Sequence, residues 1–292
     1  MDLRELARSL GIDYRGFFEE VQRRNAERIL QKKKAVFPDP ELLAGYQFER
    51  HFAHERHSSA ADQAIIESSI LSRIVFLESC FSREELRDDR FIDLGDSSGI
   101  FLHALRQPGT SLNISLEAAT QCREKGLEAV RADISSLPFR PGAFDHVIMF
   151  QTLEHMPDPI RTLRNLSELS AKSLTLSVPT VSRTTVHRRG YHPGWRDYEH
   201  HIFEFSDGDL EKVITHTGLR LDRLDHAVLL DGHEGGPVDR LAMWSLGRMM
   251  ASPSRNPEYH EVAQDLFWGT FKRFTLLHLR KEPGSGTGSP GG

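Results

Sequence analysis

Cysteine is scarce in this chain of 292 residues, with Cys80 and Cys122 the whole supply. Two thiols cannot build a disulfide framework or a four-cysteine zinc site, which excludes a small stapled secreted module. Long apolar runs are missing too. None approaches the roughly 20 residues needed to span a bilayer. The opening segment MDLRELARSLGIDYRG is charged and helix-like, without the apolar core of a secretory signal, so a cytoplasmic protein is expected. Net positive charge is also absent. Lys and Arg number 37 against 42 Asp and Glu, a formal balance of −5, which argues against a surface that coats nucleic acid. What is present is 38% apolar and 27% charged residues, the balance of a folded chain long enough for one large domain with additions.

The texture changes along the chain. Residues 1–88 read as a helical region, a cap or docking element. LRELARSLGI and FFEEVQRRNAERIL carry apolar residues at helical spacing, and a second helix is expected over roughly 60–81. Lys32, Lys33 and Lys34 read as a solvated helix end favoured by the helix dipole. From Arg90 onward, short apolar runs alternate with amphipathic stretches. Strands are expected at 91–94, 110–114, 128–132, 145–150 and 173–178, with helices near 99–106, 116–125 and 159–171. That alternation is the mark of βαβ units and a parallel sheet. Ser206 caps a further helix that stops at Gly218, and strands follow at 219–230 and 274–281. Residues 89–282 thus form a core, with substrate-side insertions at 181–205 and 231–270. The Gly/Ser/Pro-rich tail, 283–292, reads as disordered.

The most informative segment is FIDLGDSSGIFLHAL, residues 91–105. A strand reaches Asp93, a turn with Gly95 and Gly99 follows, and a helix begins whose free N–H groups suit a carboxylate or phosphate. Twenty residues after Asp93, Asn113 closes the next strand, the interval at which a second strand end faces a ribose. Asp133 stands just past the third strand, placed to accept from an exocyclic amine. Gln151 and His155 follow AFDHVIMF, at the strand end where open α/β sheets bind ligands.

Together the segments FIDLGDSSG, LNIS with LEAATQCREKG, RADISSLPF, FDHVIMFQTLEHMPDP and EHHIFEFSDGDLEKVITHTGL resemble the class I S-adenosylmethionine-dependent methyltransferases. The similarity is to the subgroup of small-molecule and quinone-biosynthesis enzymes, over about residues 90–225. The resemblance implies a three-layer α/β, Rossmann-like methyltransferase sheet, here with an N-terminal helical region. It implies S-adenosylmethionine as cofactor, with the turn from Asp93 through Gly95, Asp96, Ser97 and Gly99 under its methionyl part and ribose. Asn113, with Ile114 beside it, would face the ribose hydroxyls; Asp133 and the backbone of Ile134 would read the adenine edge; Gln151 would line the sulfonium end. The family's usual middle glycine is Ser97 here, and its usual acid on the second strand is Asn113. Transfer of an activated methyl needs mainly alignment and desolvation. A base is needed only for an acceptor that must lose a proton, and His155 is the nearest imidazole.

Competing constellations explain less. GDSSG also satisfies the G-x-S-x-G nucleophile elbow of serine hydrolases, with Ser97 as nucleophile, but an elbow should follow several strands rather than helices. A nicotinamide fingerprint would need G-x-G-x-x-G, which is not there. A non-catalytic binder keeping the cofactor fold is the other alternative class. Residues 186–205 hold His187, His192, His200 and His201 with Asp197 and Glu199, in a spacing that fits no metal motif, so no metal is expected. Tyr191, His192, Trp195 and His200 read instead as walls of a loop over the acceptor. The tetrapeptide of nucleic-acid amino methyltransferases, a Pro-Cys pair and the paired glutamates of arginine methyltransferases are all missing. A small molecule is therefore the leading acceptor and a protein side chain the second, with no membrane partner and the oligomeric state open.

Overall fold

The computed structural model describes residues 14–37, 60–95, 99–180, 185–186, 202–229, 235–242 and 273–281. The N-terminal region supplies α1 (Tyr14–Val36), α2 (Ala60–Cys80) and the short α3 (Arg83–Asp88). The core then runs β1 (Phe91–Leu94), α4 (Ile100–Ala104), β2 (Thr110–Asn113), α5 (Leu116–Glu124), β3 (Glu128–Arg131) and β4 (Phe144–Phe150). It continues with α6 (Pro159–Leu169), β5 (Ser170–Pro179), the two-residue strands β6 (Thr185–Val186) and β7 (Phe203–Glu204), α7 (Asp207–Thr215), β8 (Leu219–Val228) and β9 (Arg273–Lys281).

Seven strands form one sheet in the order β3-β2-β1-β4-β5-β9-β8. The first five are parallel, and β9 is antiparallel to both β5 and β8. The expected α/β sheet is thus the observed one. β1 and β4 are buried along nearly their whole length, as strands covered on both faces must be. Alternate residues of β4 serve opposite faces. Ile148 and Phe150 join a cluster with α1, α2, α4 and α5, whereas Val147 and Met149 join one with α6 and α7.

Local chemistry sets the helix ends. Ser82 and Glu85 form a capping box on α3, Asp158 caps α6 ahead of Pro159, and Ser115 and Ser206 cap α5 and α7. Two expected helices are shorter than their apolar pattern. α4 ends at Ala104, and the chain turns through Arg106 in the left-handed region. α6 yields at Leu169 because Ser170 already pairs with Phe144 in the sheet.

One expectation needs correction. The lysine run is not simply a solvated helix end. Lys33 bonds the Ser68 hydroxyl at 2.7 Å and the Val228 carbonyl at 2.9 Å, and Lys34 pairs with Glu67. Burial lowers Lys33 to about 8. These contacts tie α1 to α2 and to the end of β8. Asp239, in the helical stretch 237–242, likewise takes Arg24 at 2.7 Å and Arg28 at 2.8 Å, docking that part of the 231–270 insertion on α1. Both cysteines are buried free thiols.

The closed end of the sheet is held by buried imidazoles. His146 meets Ser173 Oγ at 2.7 Å and Asp89 at 2.8 Å, and Asp89 also takes Lys172 at 2.5 Å. His278 meets Thr175 Oγ1 at 2.8 Å, while its Nε2 is buried without a partner among the described residues. Phe81 sets its ring edge-on between the two. Desolvation lowers His278 to about 4 from an ordinary 6.5. The unfolded chain therefore takes up this proton first, and stability is lost as pH falls from 6.5 toward 4, by roughly 3 kcal/mol in all. His278→Asn keeps a partner for Thr175 but does not titrate. Urea unfolding across this window is expected to show the variant losing less stability than wild type by about that amount.

Candidate functional site

Parallel strands β1 and β4 pair side by side, Ile92 with Val147 and Asp93 with Ile148. From β1 the chain goes on to β2, its neighbour on one side, and from β4 to β5 on the other. Loops leaving such a switch point diverge, and the crevice beyond the strand ends is where open α/β sheets take ligands.

Gly95 is the hinge of the first loop. Its N–H still donates to Leu112 O at 2.8 Å, yet its φ is +80°, a conformation that costs an L side chain about 1–3 kcal/mol. A Cβ there would collide with the Thr152 side chain, which is held by its own hydroxyl donating to Phe150 O at 2.9 Å. The loops after β1 and β4 therefore touch across the switch point, and glycine is what allows it. Gly99, at φ +72°, opens α4. Asp96 and Ser97, the nucleophile of the hydrolase reading, lie outside the described residues. Among the described residues, helices and no strand precede β1, so the strands that should lead into a nucleophile elbow are not seen there.

Asn113 and Asp133 share one rim. Ala132 N–H donates to Asn113 O at 3.2 Å, which joins the two strand ends. Asn113 Oδ1 accepts from Ser115 N–H at 2.8 Å, so that oxygen shapes the turn into α5. Ile114 beside it is 66% exposed, an apolar surface open to a flat aromatic ligand. Asp133 is exposed, with Ile134 buried behind it in a 3-10 turn over Ile134–Ser136. Hydrogen bonds from Ser135 N–H and Oγ, both at 2.8 Å, lower Asp133 below the usual carboxylate range and keep it an anionic acceptor.

The second loop holds the unusual groups. Gln151 sits at φ +47°, rare for a residue with a side chain, with its N–H on Ser177 O at 2.9 Å and its amide on Ser177 Oγ at 3.3 Å. A 3-10 turn over Leu153–His155 follows, in which His155 is half-buried. Glu154 is fully buried, and neither carboxyl oxygen meets a donor from another described residue. Desolvation pushes it up to about 8, and its own backbone N–H and the nearby Arg73 guanidinium offset only part of that. Arg73 projects from α2 over the rings of Phe274, Phe150 and Phe101, at 5.0, 5.8 and 6.0 Å from their centroids.

Neither Glu154 nor Arg73 was singled out from the sequence. The signal for Arg73 was a lone charge inside the apolar run of ILSRIVFL, and for Glu154 an acid between Leu153 and the more conspicuous His155. Tyr191, His192, Trp195 and His200 lie outside the described residues. No set of three metal-ligating side chains comes together among the described residues.

This geometry has known counterparts. The methyltransferase domain family matches residues 52–224, more than half the sequence, and the chain belongs to that family, among the class I S-adenosylmethionine-dependent methyltransferases. A ubiquinone biosynthesis O-methyltransferase of Methylococcus capsulatus is 32% identical over 103 residues, 32% of this chain and 44% of that protein. The enzyme of the same name from Xanthomonas campestris pv. campestris is 30% identical over 120 residues, 38% of this chain and 50% of its own length. The chain thus spans about half the length of the curated relatives it matches. The solved structure of a provisionally assigned sarcosine dimethylglycine methyltransferase from Galdieria sulphuraria shares the fold. It is 12% identical with a TM-score of 0.50, covering 87% of this chain and 98% of that one.

Two outcomes follow from the loop chemistry. Gly95→Ala should destabilise the protein by about 1–3 kcal/mol in urea unfolding, and Thr152→Ala in the same chain should recover part of the loss. Glu154 binds its proton more tightly folded than unfolded, so stability is lost as pH rises from 4.5 to about 8, by about 5 kcal/mol over the window. Glu154→Gln is expected to remove that decline in urea titrations at successive pH values.

Proposed function

We propose that this protein binds S-adenosylmethionine at the β1/β4 switch point and transfers its methyl group to a small molecule. The observation that carries this reading is the joined rim of Asn113, Ile114 and Asp133 facing a glycine loop pressed on the loop after β4. The residues present fit the cofactor. Asp133 is a fixed anionic acceptor for an exocyclic amine, with the Ile134 backbone beside it, and Ile114 offers an apolar seat for a ring. Asn113, at the end of β2, would face the ribose hydroxyls. Gly95 and Gly99 bound the turn that would pass beneath the methionyl part, to which Asp93, Asp96 and Ser97 are also assigned by family resemblance, and Gln151 would border the sulfonium end.

When bound, the sulfonium supplies an already activated methyl. The chain's part is to align the acceptor and to exclude water. The names of the curated relatives support a small-molecule acceptor with an oxygen nucleophile. His155 lies one turn past Gln151 on the same loop, within the region that would meet that acceptor. Tyr191, His192, Trp195 and His200 belong to the insertion proposed to line it. Among the described residues, no helix is long and apolar enough to cross a membrane, in keeping with a cytoplasmic setting.

Calorimetric titration with S-adenosylmethionine tests the binding. Wild type should bind, and Asp133→Ala should bind about 10–100-fold more weakly, the loss expected for a hydrogen bond to a charged group. No binding, or an Asp133→Ala variant equal to wild type, contradicts the reading. Incubation with labelled S-adenosylmethionine and a metabolite extract should then label a small molecule. Binding with no transfer to any extract would mark a non-catalytic binder.

A further inference from the structure

Glu154 stands apart from every other acid among the described residues. It is wholly buried, and neither oxygen meets a donor from another described residue, a condition that costs several kcal/mol for the charged form and that folds do not keep without cause. Asp93, 1% exposed on β1, is already among the residues assigned to the cofactor, and two other little-exposed acids resolve their charge. Asp89 takes His146 and Lys172, and Asp239 takes two arginines. Glu154 instead sits four residues past the end of β4, at the switch point. Its backbone is pinned from outside, since Ile202 N–H donates to Glu154 O at 2.9 Å just ahead of β7.

The charges around it are few. Arg73 reaches it from α2. β5 carries no ionisable side chain from Ser173 to Pro179, and β7 has only Glu204. α6 opens with Asp158 and Arg161, and Asp158 Oδ1 caps the helix by accepting from Arg161 N–H at 3.0 Å. His155 follows directly in the chain. A carboxyl stored this way is one whose missing partner arrives with a ligand.

We propose that Glu154 is the catalytic base of the acceptor subsite, taking the proton of an O–H nucleophile as the methyl group arrives. The assignment rests on the methyl-transfer reading above. In the step, an oxygen lone pair of the acceptor forms the new O–CH3 bond. The S–CH3 bonding pair leaves with sulfur as a neutral thioether, and the acceptor's O–H proton passes to the Glu154 carboxylate. One positive and one negative charge are consumed, and the products are neutral. Resting Glu154 holds its own proton, because it ionises only near about 8. It must lose that proton before it can act. The arriving sulfonium cation favours the ionised form, so donor binding arms the base. A water-exposed imidazole would not need arming in this way.

Proton release on ligand binding tests this without turnover. Titrations are run at pH 7 in buffers of different ionisation enthalpy, with S-adenosylmethionine and, separately, with S-adenosylhomocysteine, which lacks the positive charge. Wild type should release between about half and one proton more with the sulfonium than with the thioether. Glu154→Gln should bind S-adenosylhomocysteine within about threefold of wild type, bind S-adenosylmethionine up to about tenfold more weakly, and show no such difference in proton release, whereas His155→Ala should keep it. In the labelled-extract assay, Glu154→Gln should lower methyl incorporation by about 10²–10⁴-fold. Equal proton release for the two ligands in wild type overturns the proposal even if the variant fails to fold. A difference that survives in Glu154→Gln overturns it as well. Binding of neither ligand would sink the donor reading itself, and this assignment with it.

Discussion

Two neighbouring parallel strands that send their chains in opposite directions set the terms for the rest of this molecule. β1 and β4 exchange hydrogen bonds along their length, so their ends lie together, yet the loops that leave them must part. At that parting the sheet no longer supplies partners for polar groups. Gly95 keeps the two loops in touch at their base, and beyond it the walls separate. Every group assigned to the cofactor hangs from the end of β1, β2, β3 or β4, or from the turn that follows it. The order of the strands, rather than any one side chain, gathers them.

The two ends of the sheet handle charge differently. At the end where β1 and β4 begin, Asp89, His146, Ser173 and Lys172 form a closed chain of bonds, and Arg90 pairs with Asp145 at 3.2 Å. Arg280 likewise meets Glu85 at 2.7 Å near the start of the sheet. Those groups stabilise. At the opposite end, Asp133 is exposed and Glu154 is buried without a donor from another described residue. Burial favours the neutral form of both His278 and Glu154, and their pH dependences run in opposite senses because an imidazole is neutral without its proton and a carboxyl with it. Between pH 4.5 and 6.5 they largely cancel, and above 6.5 the glutamate dominates.

Much of this was legible in the sequence, and for a physical reason. Strands buried on both faces read as continuous apolar runs, so IDL, TSL and FDHVIMF announced β1, β2 and β4 within a residue or two. The cap at Ser206 announced α7. Positions fixed by backbone geometry, such as Gly95, were visible because only glycine suits them. Groups defined by their surroundings were not. Periodicity does not say that α2 carries Arg73 over three phenyl rings, or that Lys33 spends its charge on Ser68 and Val228. Glu154 looked like a helix-start acid beside a histidine. Its meaning comes from burial, which depends on how distant elements close over it.

The most direct measurement is a crystal structure with S-adenosylhomocysteine bound. The account requires the adenine ring against Ile114, with its amine on the Asp133 carboxylate. It also requires the ribose beside Asn113, and the sulfur beyond the β1 and β4 ends, on the side of Gln151 and Glu154. A ligand found elsewhere on the sheet, or one whose sulfur points away from the loop after β4, would contradict it.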